Sequence, residues 1–142
     1  LASAGLIRLQ MESRIACRLN HSQSLPAAGQ GAVGIECRLD DSTTQALLAP
    51  LHHADTAACI MAERALNGHL QGGCQVPIAC FARLTEDNQV FLRALVGQPD
   101  GSQLLHSRGY APKVESEALG IRLAEALLSQ GADEILRAVY GS

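Results

Sequence analysis

Three apolar segments joined by tight turns constrain the fold of this 142-residue chain more than any other feature. Residues 76–84, 89–97 and 102–110 have the composition of strands. The turn residues between them are Glu86-Asp87-Asn88 and Pro99-Asp100-Gly101. Because consecutive strands joined by short turns pair in opposite directions, we predict a three-stranded antiparallel sheet.

Helical patterns lie on both sides of these strands. A helix is predicted from about Asp55 to Asn67-Gly68, and a second over 115–129 is followed by a short one over 133–139. From residue 55 onward the order is helix, strand, strand, strand, helix. This order predicts an α+β fold in which helices pack on the sheet.

The first third of the chain combines one helical pattern with linker and loop segments. Residues 1–15 are typical of one amphipathic helix, and a polar linker follows it. A loop of small residues then runs into a short buried strand that ends near Cys37. Asp40-Asp41-Ser42 is a helix N-cap signal, and Pro50 closes the segment that begins there.

Composition excludes several classes of protein. With two Phe, two Tyr, no Trp and a net charge of −3, the chain lacks the aromatic and basic residues that nucleic-acid binding needs. No apolar run is long enough to span a bilayer, and we expect no signal peptide. Five cysteines without a CxxC spacing argue against disulfides and zinc, so we expect no metal and a cytoplasmic location.

Cys74 is the first candidate for chemistry, because it lies in a Gly-Gly-Cys-Gln-Val-Pro loop. Glycines let a ligand approach the backbone closely, and a loop thiol can act as a nucleophile or an attachment point. The ordinary alternative is a small buried hydrophobe. We expect Cys37, Cys59 and Cys80 to lie in the core and Cys17 to be incidental.

Other polar residues have two readings each. The Gly29-Gln30-Gly31 turn could bind an anion through backbone N–H groups, or it could simply be a tight crossing between domains. It is not a dinucleotide-binding loop, since the residues after it are typical of a strand. Arg8 could pair with a carboxylate or be an ordinary helix-surface arginine. We expect His52-His53 to be solvated, and Glu63-Arg64 to be charges on a helix surface or between domains.

Taken together, these motifs resemble one family. Residues 25–37 (LPAAGQGAVGIEC), 62–65 (AERA) and 70–78 (LQGGCQVPI) resemble porphobilinogen deaminase, also called hydroxymethylbilane synthase, and so do 92–97 and 99–102. The resemblance implies a transferase of haem biosynthesis that condenses four porphobilinogen units into hydroxymethylbilane, with release of ammonia. The product would grow on a covalently bound dipyrromethane cofactor.

The resemblance also implies roles for individual residues. Cys74 would carry the cofactor through a thioether, Arg8 would contact its carboxylates, and Gln30 and Gly31 would line the cofactor cleft. The family's general acid is an aspartate of the first domain and has no counterpart in this sequence, so no catalytic residue is assigned.

The resemblance implies a C-terminal portion of a three-domain enzyme. We expect residues 1–25 to end the second domain, 26–50 to be a strand and helix that return to the first, and 51–142 to form the third. Pieces of two further α/β domains would thus precede the α+β domain. Its partners would be porphobilinogen and the missing N-terminal domains, without which the chain would be inactive. The complete enzyme would be a monomer.

One alternative from another class stays open. A non-catalytic α+β ligand-binding or interaction module with an inert Cys74 would show the same layers, so the fold alone does not separate the two hypotheses. If 26–50 belongs to another domain, Val33 and Ile35 should lack packing partners within this chain.

Overall fold

The computed structural model describes residues 2–72 and 76–140. Its helices and strands, in chain order, are α1 (Ser3–Arg8), α2 (Ser42–Leu48), α3 (Ala54–His69), β1 (Ile78–Leu84), β2 (Gln89–Gly97), β3 (Leu104–Pro112), α4 (Ser116–Leu128) and α5 (Ala132–Tyr140). The predicted α+β order of helix, three strands and helix is therefore confirmed. No helix within the described residues is long and apolar enough to cross a membrane.

The three strands form one antiparallel sheet in the order β1-β2-β3. Cys80 of β1 lies opposite Ala94 of β2, and Ala82 lies opposite Leu92. These four side chains are buried, and α3 and α4 pack on their side of the sheet. Alternation along each strand thus gives the sheet one core face, as the sequence pattern predicts.

Helices α3 and α4 approach each other closely at Gly120. A Cβ atom at this position would lie 2.3 Å from the carbonyl oxygen of Ala62 and 2.8 Å from the backbone nitrogen of Leu66. Glycine is therefore needed for the two helices to pack at this separation. Leu66 and Leu119 fill the core beside the crossing, and neither has any exposed surface.

The helix predicted over 1–15 is shorter than expected. Helix α1 ends at Arg8, Gln10 adopts a left-handed φ of 56°, and Glu12–Arg14 forms a separate 3₁₀ turn. Helix α1 buries no residue. Because helices in proteins are stabilised mainly by tertiary packing, a helix without buried residues stays short.

The segment before α3 has the predicted helix but not the predicted strand. Asp41 caps α2 by accepting a hydrogen bond from the Thr44 N–H at 3.0 Å. Residues 32–38 form no strand, and Val33 is 90% exposed. Cys37 is also exposed, so the prediction that it lies in the core is wrong. The reason is that no strand of the described residues runs beside this segment, so no ladder or core covers it.

Candidate functional site

The end of α3 fixes the approach to the Gly-Gly-Cys loop. The Gly72 N–H donates to the Asn67 carbonyl oxygen at 2.8 Å, and the Asn67 side-chain amide donates to the Gly72 carbonyl oxygen at 3.3 Å. A Cβ atom on Gly72 would lie 2.1 Å from Oδ1 of Asn67, so a larger residue at this position would require the Asn67 side chain to move. Cys74 itself lies outside the described residues.

The far end of the loop is also fixed. The Gly97 N–H, at the end of β2, donates to the Pro77 carbonyl oxygen at 3.1 Å. The chain then enters β1 at Ile78. The segment 73–75 therefore connects two anchored points, one on α3 and one at the start of the sheet.

A second loop lies along the free edge of β1. The Cys80 N–H donates to the Pro26 carbonyl oxygen at 3.0 Å, which places Pro26 beside the strand. The chain then turns, because Gly29 and Gly31 both adopt left-handed φ angles, of 73° and 87°. This turn displays Gln30, which is exposed. The structure thus places the predicted Gln30 and Gly31 pair next to the C-terminal domain.

Glu63 of α3 joins this turn to the strand. Its Oε2 accepts a hydrogen bond from the Gly29 N–H at 2.7 Å, and its Oε1 accepts one from the Ala82 N–H at 2.6 Å. The residue is only 3% exposed, so of the two predicted placements, on the helix surface or between domains, the first is wrong for Glu63, and the second stays a prediction. Burial raises the pKa of this carboxyl group, while the two N–H donors act in the opposite direction.

Two grooves open beside the Gly29–Gly31 turn. The larger, of about 1040 Å³, lies between residues 28–53 and α3, and the smaller, of about 400 Å³, is lined by Gln30, Glu63 and Phe81 among others. The larger groove contains Arg64, His52 and His53 and has no acidic side chain in its lining. Arg64 forms no ion pair within the part of the chain that the structure describes. The larger groove is therefore suited to an anionic ligand with an apolar body.

One of the two adjacent histidines, His53, has a local structural role. Nδ1 of His53 accepts a hydrogen bond from the Thr56 N–H at 3.2 Å and so caps the start of α3. Among the described residues, no group of three or more His, Cys, Asp or Glu side chains could hold a metal ion.

Arg8 stays apart from the other predicted residues. It is exposed in the last turn of α1 and lines neither groove. None of the ion pairs formed within residues 2–72 and 76–140 includes it. The described contacts therefore bring Gln30 and Gly31 together with α3, but they do not bring Arg8 to them.

The other cysteines differ in their chemistry. Cys80 is fully buried, and burial raises the pKa of its thiol to about 12. Cys59 is half-buried, and its pKa is also raised by burial. Cys17 and Cys37 are exposed. A thiol held protonated in the core is a poor nucleophile, so Cys80 is unsuited to covalent chemistry.

The α+β domain, which has the GGC motif shortly after α3, is part of a transferase of tetrapyrrole biosynthesis. The family model described as the C-terminal domain of porphobilinogen deaminase matches residues 57–129. The model described as the dipyromethane cofactor binding domain of porphobilinogen deaminase matches residues 1–46. The chain belongs to the porphobilinogen deaminase family, and the resemblance seen in its motifs is confirmed.

The family match establishes a dipyrromethane cofactor and a role in haem biosynthesis. The described residues fit a group of this chemistry. Acetate and propionate groups need cations, and Arg64 is an exposed arginine of the larger groove that forms no ion pair within the described residues. No atom lies within 4 Å of where a Cβ would stand on Gly29 or Gly31, so there is open space beside both glycines of the turn.

Proposed function

We propose that this chain is the cofactor-attaching part of hydroxymethylbilane synthase. The enzyme would condense four porphobilinogen units head to tail, release ammonia at each step, and yield hydroxymethylbilane. The observation that carries this proposal is the presence of two porphobilinogen deaminase matches in one chain, over 1–46 and 57–129. The sequence GGCQVP at 72–77 lies within the second match and follows the end of helix α3 by two residues.

Cys74 is the proposed attachment point, through a thioether bond. When bound, the cofactor supplies the pyrrole end from which the product chain grows. A thioether resists hydrolysis, so the primer would stay on the protein while the product is released. The described residues on either side support this role, because Gly72 is hydrogen-bonded to Asn67 of α3 and the Pro77 carbonyl oxygen accepts a hydrogen bond from the Gly97 N–H at the end of β2.

Arg8, Gln30 and Gly31 are the proposed contacts to the cofactor. An arginine fork pairs with a carboxylate through two parallel hydrogen bonds, and Arg8 has no competing carboxylate within the described residues. Gln30 is exposed on a turn whose two glycines have open space beside them. These features support a role for the three residues in binding the acetate and propionate groups.

Further domains of the same enzyme are the proposed partners of this chain. Support comes from large apolar side chains that precede α3 and stay in solvent: Val33 is 90% exposed, Leu39 97%, Leu47 74% and Leu51 67%. Such a surface is typical of an interface. We propose that 1–25 and 26–50 pack with those domains, that 51–142 is the third domain, and that the 142-residue chain alone makes no hydroxymethylbilane.

Ehrlich's reagent tests the proposal, because it colours pyrroles such as dipyrromethane. The enzyme that contains this chain should colour, and its Cys74→Ser variant should not. Cys17→Ser is the matched control, since Cys17 is an exposed free cysteine that lines neither groove and should not affect the colour. Colour that survives in Cys74→Ser would contradict the attachment point, and a colourless wild-type enzyme would contradict the proposed function.

A further inference from the structure

Glu63 is a charged side chain buried at a position of α3 where core packing needs only an apolar one. Glu63 is 3% exposed, and it forms no ion pair within the described residues. His21 acts on this carboxylate only at longer range, without an ion pair. Burying a carboxylate without a directly paired cation is costly, and an apolar side chain of the same size would fill the space as well. A negative charge at this position therefore needs a reason beyond core packing.

The edge of β1 shows what the charge does. β1 is an outer strand of the sheet, and its N–H groups at Cys80 and Ala82 face away from β2. The first donates to the carbonyl oxygen of Pro26, as it would to a neighbouring strand. The second donates to Oε1 of Glu63 instead. Glu63 thus takes the place of a strand carbonyl at the point where the chain beyond Pro26 turns away.

The other oxygen of the same carboxylate holds the turn. Oε2 accepts the Gly29 N–H at 2.7 Å, across 34 residues of sequence. Gly29 and Gly31 have left-handed φ angles, and the Gln30 N–H donates to the Ala27 carbonyl oxygen at 3.1 Å. The direction of the chain at Gln30 is therefore set by this turn, and Glu63 is the side chain that fastens the turn to the sheet.

Only a carboxylate can satisfy both donors. Two N–H groups point at two different oxygens of one side chain, so each oxygen must accept. A glutamine has the same length but offers one acceptor and one amide donor, and the donor would face an N–H. A methionine has a similar volume and offers no strong acceptor.

We propose that Glu63 is a positioning residue of the cofactor site: its two oxygens hold the Gly29–Gly31 turn on the edge of β1 and thereby set the position of Gln30. The inference rests on the proposed role of Gln30 and Gly31 in the cofactor cleft. Glu63 itself acts through the turn and not by contact with substrate.

The test compares Glu63→Gln and Glu63→Met with Glu86→Gln, an exposed glutamate in the β1–β2 turn, in the enzyme that contains this chain. Hydrogen exchange followed by mass spectrometry should show faster exchange at 27–31 in both Glu63 variants, more so in the methionine variant. Exchange in α4 should stay as in wild type. Circular dichroism should show that the Glu63→Gln variant is folded.

Kinetics separate positioning from a merely structural role. Well below the unfolding temperature, kcat of Glu63→Gln should fall by about ten-fold to a hundred-fold, the range expected for a misplaced contact group. The KM for porphobilinogen should change by less than about two-fold, because a positioning defect acts on the reacting geometry. The Ehrlich colour should remain.

Three outcomes would overturn the proposal. They are unchanged exchange at 27–31, a kcat equal to that of Glu86→Gln, and a Glu63→Gln variant that does not fold, which would assign Glu63 to the core. A wild-type enzyme that gives no Ehrlich colour would refute the proposed function. It would not decide whether Glu63 holds the turn, which the hydrogen exchange at 27–31 decides separately.

Discussion

Gly120→Ala is the sharpest test of how α3 and α4 support the loop that follows α3. The added methyl group would lie 2.3 Å from the Ala62 carbonyl oxygen, 2.8 Å from the Ala65 Cβ and 2.8 Å from the Leu66 nitrogen. Two of these atoms belong to the backbone of α3 and cannot rotate away. The helices must therefore separate by about 1 Å to restore an ordinary carbon–oxygen contact.

The size of the effect follows from two opposing contributions. Overpacking a core costs typically about 1–3 kcal/mol, and backbone contacts put this site near the upper end. Alanine in a helix interior recovers about 1 kcal/mol relative to glycine. We expect a net loss of about 2 kcal/mol in the free energy of unfolding, and a Tm lower by about 5–10 °C.

Gly68→Ala is the matched control, because Gly68 lies in α3 and no atom comes within 4 Å of its Cβ position. This variant should gain up to about 1 kcal/mol from helix propensity alone. Urea unfolding monitored by circular dichroism measures both changes. Equal stability of Gly120→Ala and wild type would refute the close approach of the two helices.

Three further results are expected. At pH 8 iodoacetamide should modify Cys37 but not Cys80, whose buried thiol has a pKa of about 12, until the chain is unfolded; mass spectrometry measures this, and labelling of Cys80 in the folded chain would contradict its burial. Arg8→Gln should lower kcat/KM for porphobilinogen by about ten-fold or more, as expected when one charged hydrogen bond is lost. The control variant Arg14→Gln, at a nearby exposed arginine, should leave kcat/KM unchanged. Equal effects of the two substitutions would show that Arg8 is not part of the site. A hydrogen bond from Lys113, just after β3, lowers the pKa of Asp55 below its ordinary 3.8. The stability that this contact contributes is therefore present above pH 3.8 and lost as the pH falls through the lower pKa of the folded state. The stabilities of wild type and Asp55→Asn in acid unfolding should converge in that range, and a difference that stays constant with pH would contradict the contact.

The C-terminal fold could be predicted because its signals are local. The turn at Glu86-Asp87-Asn88 and the alternation over 89–97 fix a hairpin without reference to distant residues, and β2 has the predicted bounds. The helix over 54–69 is likewise predicted by its spacing and by the glycine near its end. Each of these elements buries the face that its own pattern marks.

The errors arise where distant contacts decide. Glu63 is a charged residue in a helix pattern, and nothing near it in the sequence indicates that Gly29 and Ala82 donate to it. Cys37 follows an apolar run that predicts a buried strand, yet the described residues supply no neighbour for it. An apolar pattern identifies the face of a strand or helix that would be buried, but whether that face is covered depends on residues far away in the sequence.

The candidate site divides in the same way. The GGC motif and the Gly29-Gln30-Gly31 turn are visible as motifs, and the motif resemblance led to the correct family. The carboxylate that links the turn to β1 emerges only from the three-dimensional contacts. The roles of Cys74, Arg8, Gln30 and Gly31 remain predictions that the variants above test.

Tandem mass spectrometry of one tryptic peptide tests the central proposal most directly. Cleavage after Arg64 and Arg83 gives the peptide 65–83, which contains both Cys74 and Cys80. Fragment ions that separate these two cysteines should place the added mass of dipyrromethane on Cys74 and leave Cys80 unmodified. An unmodified Cys74 in the active enzyme, or the added mass on Cys80, would contradict the account.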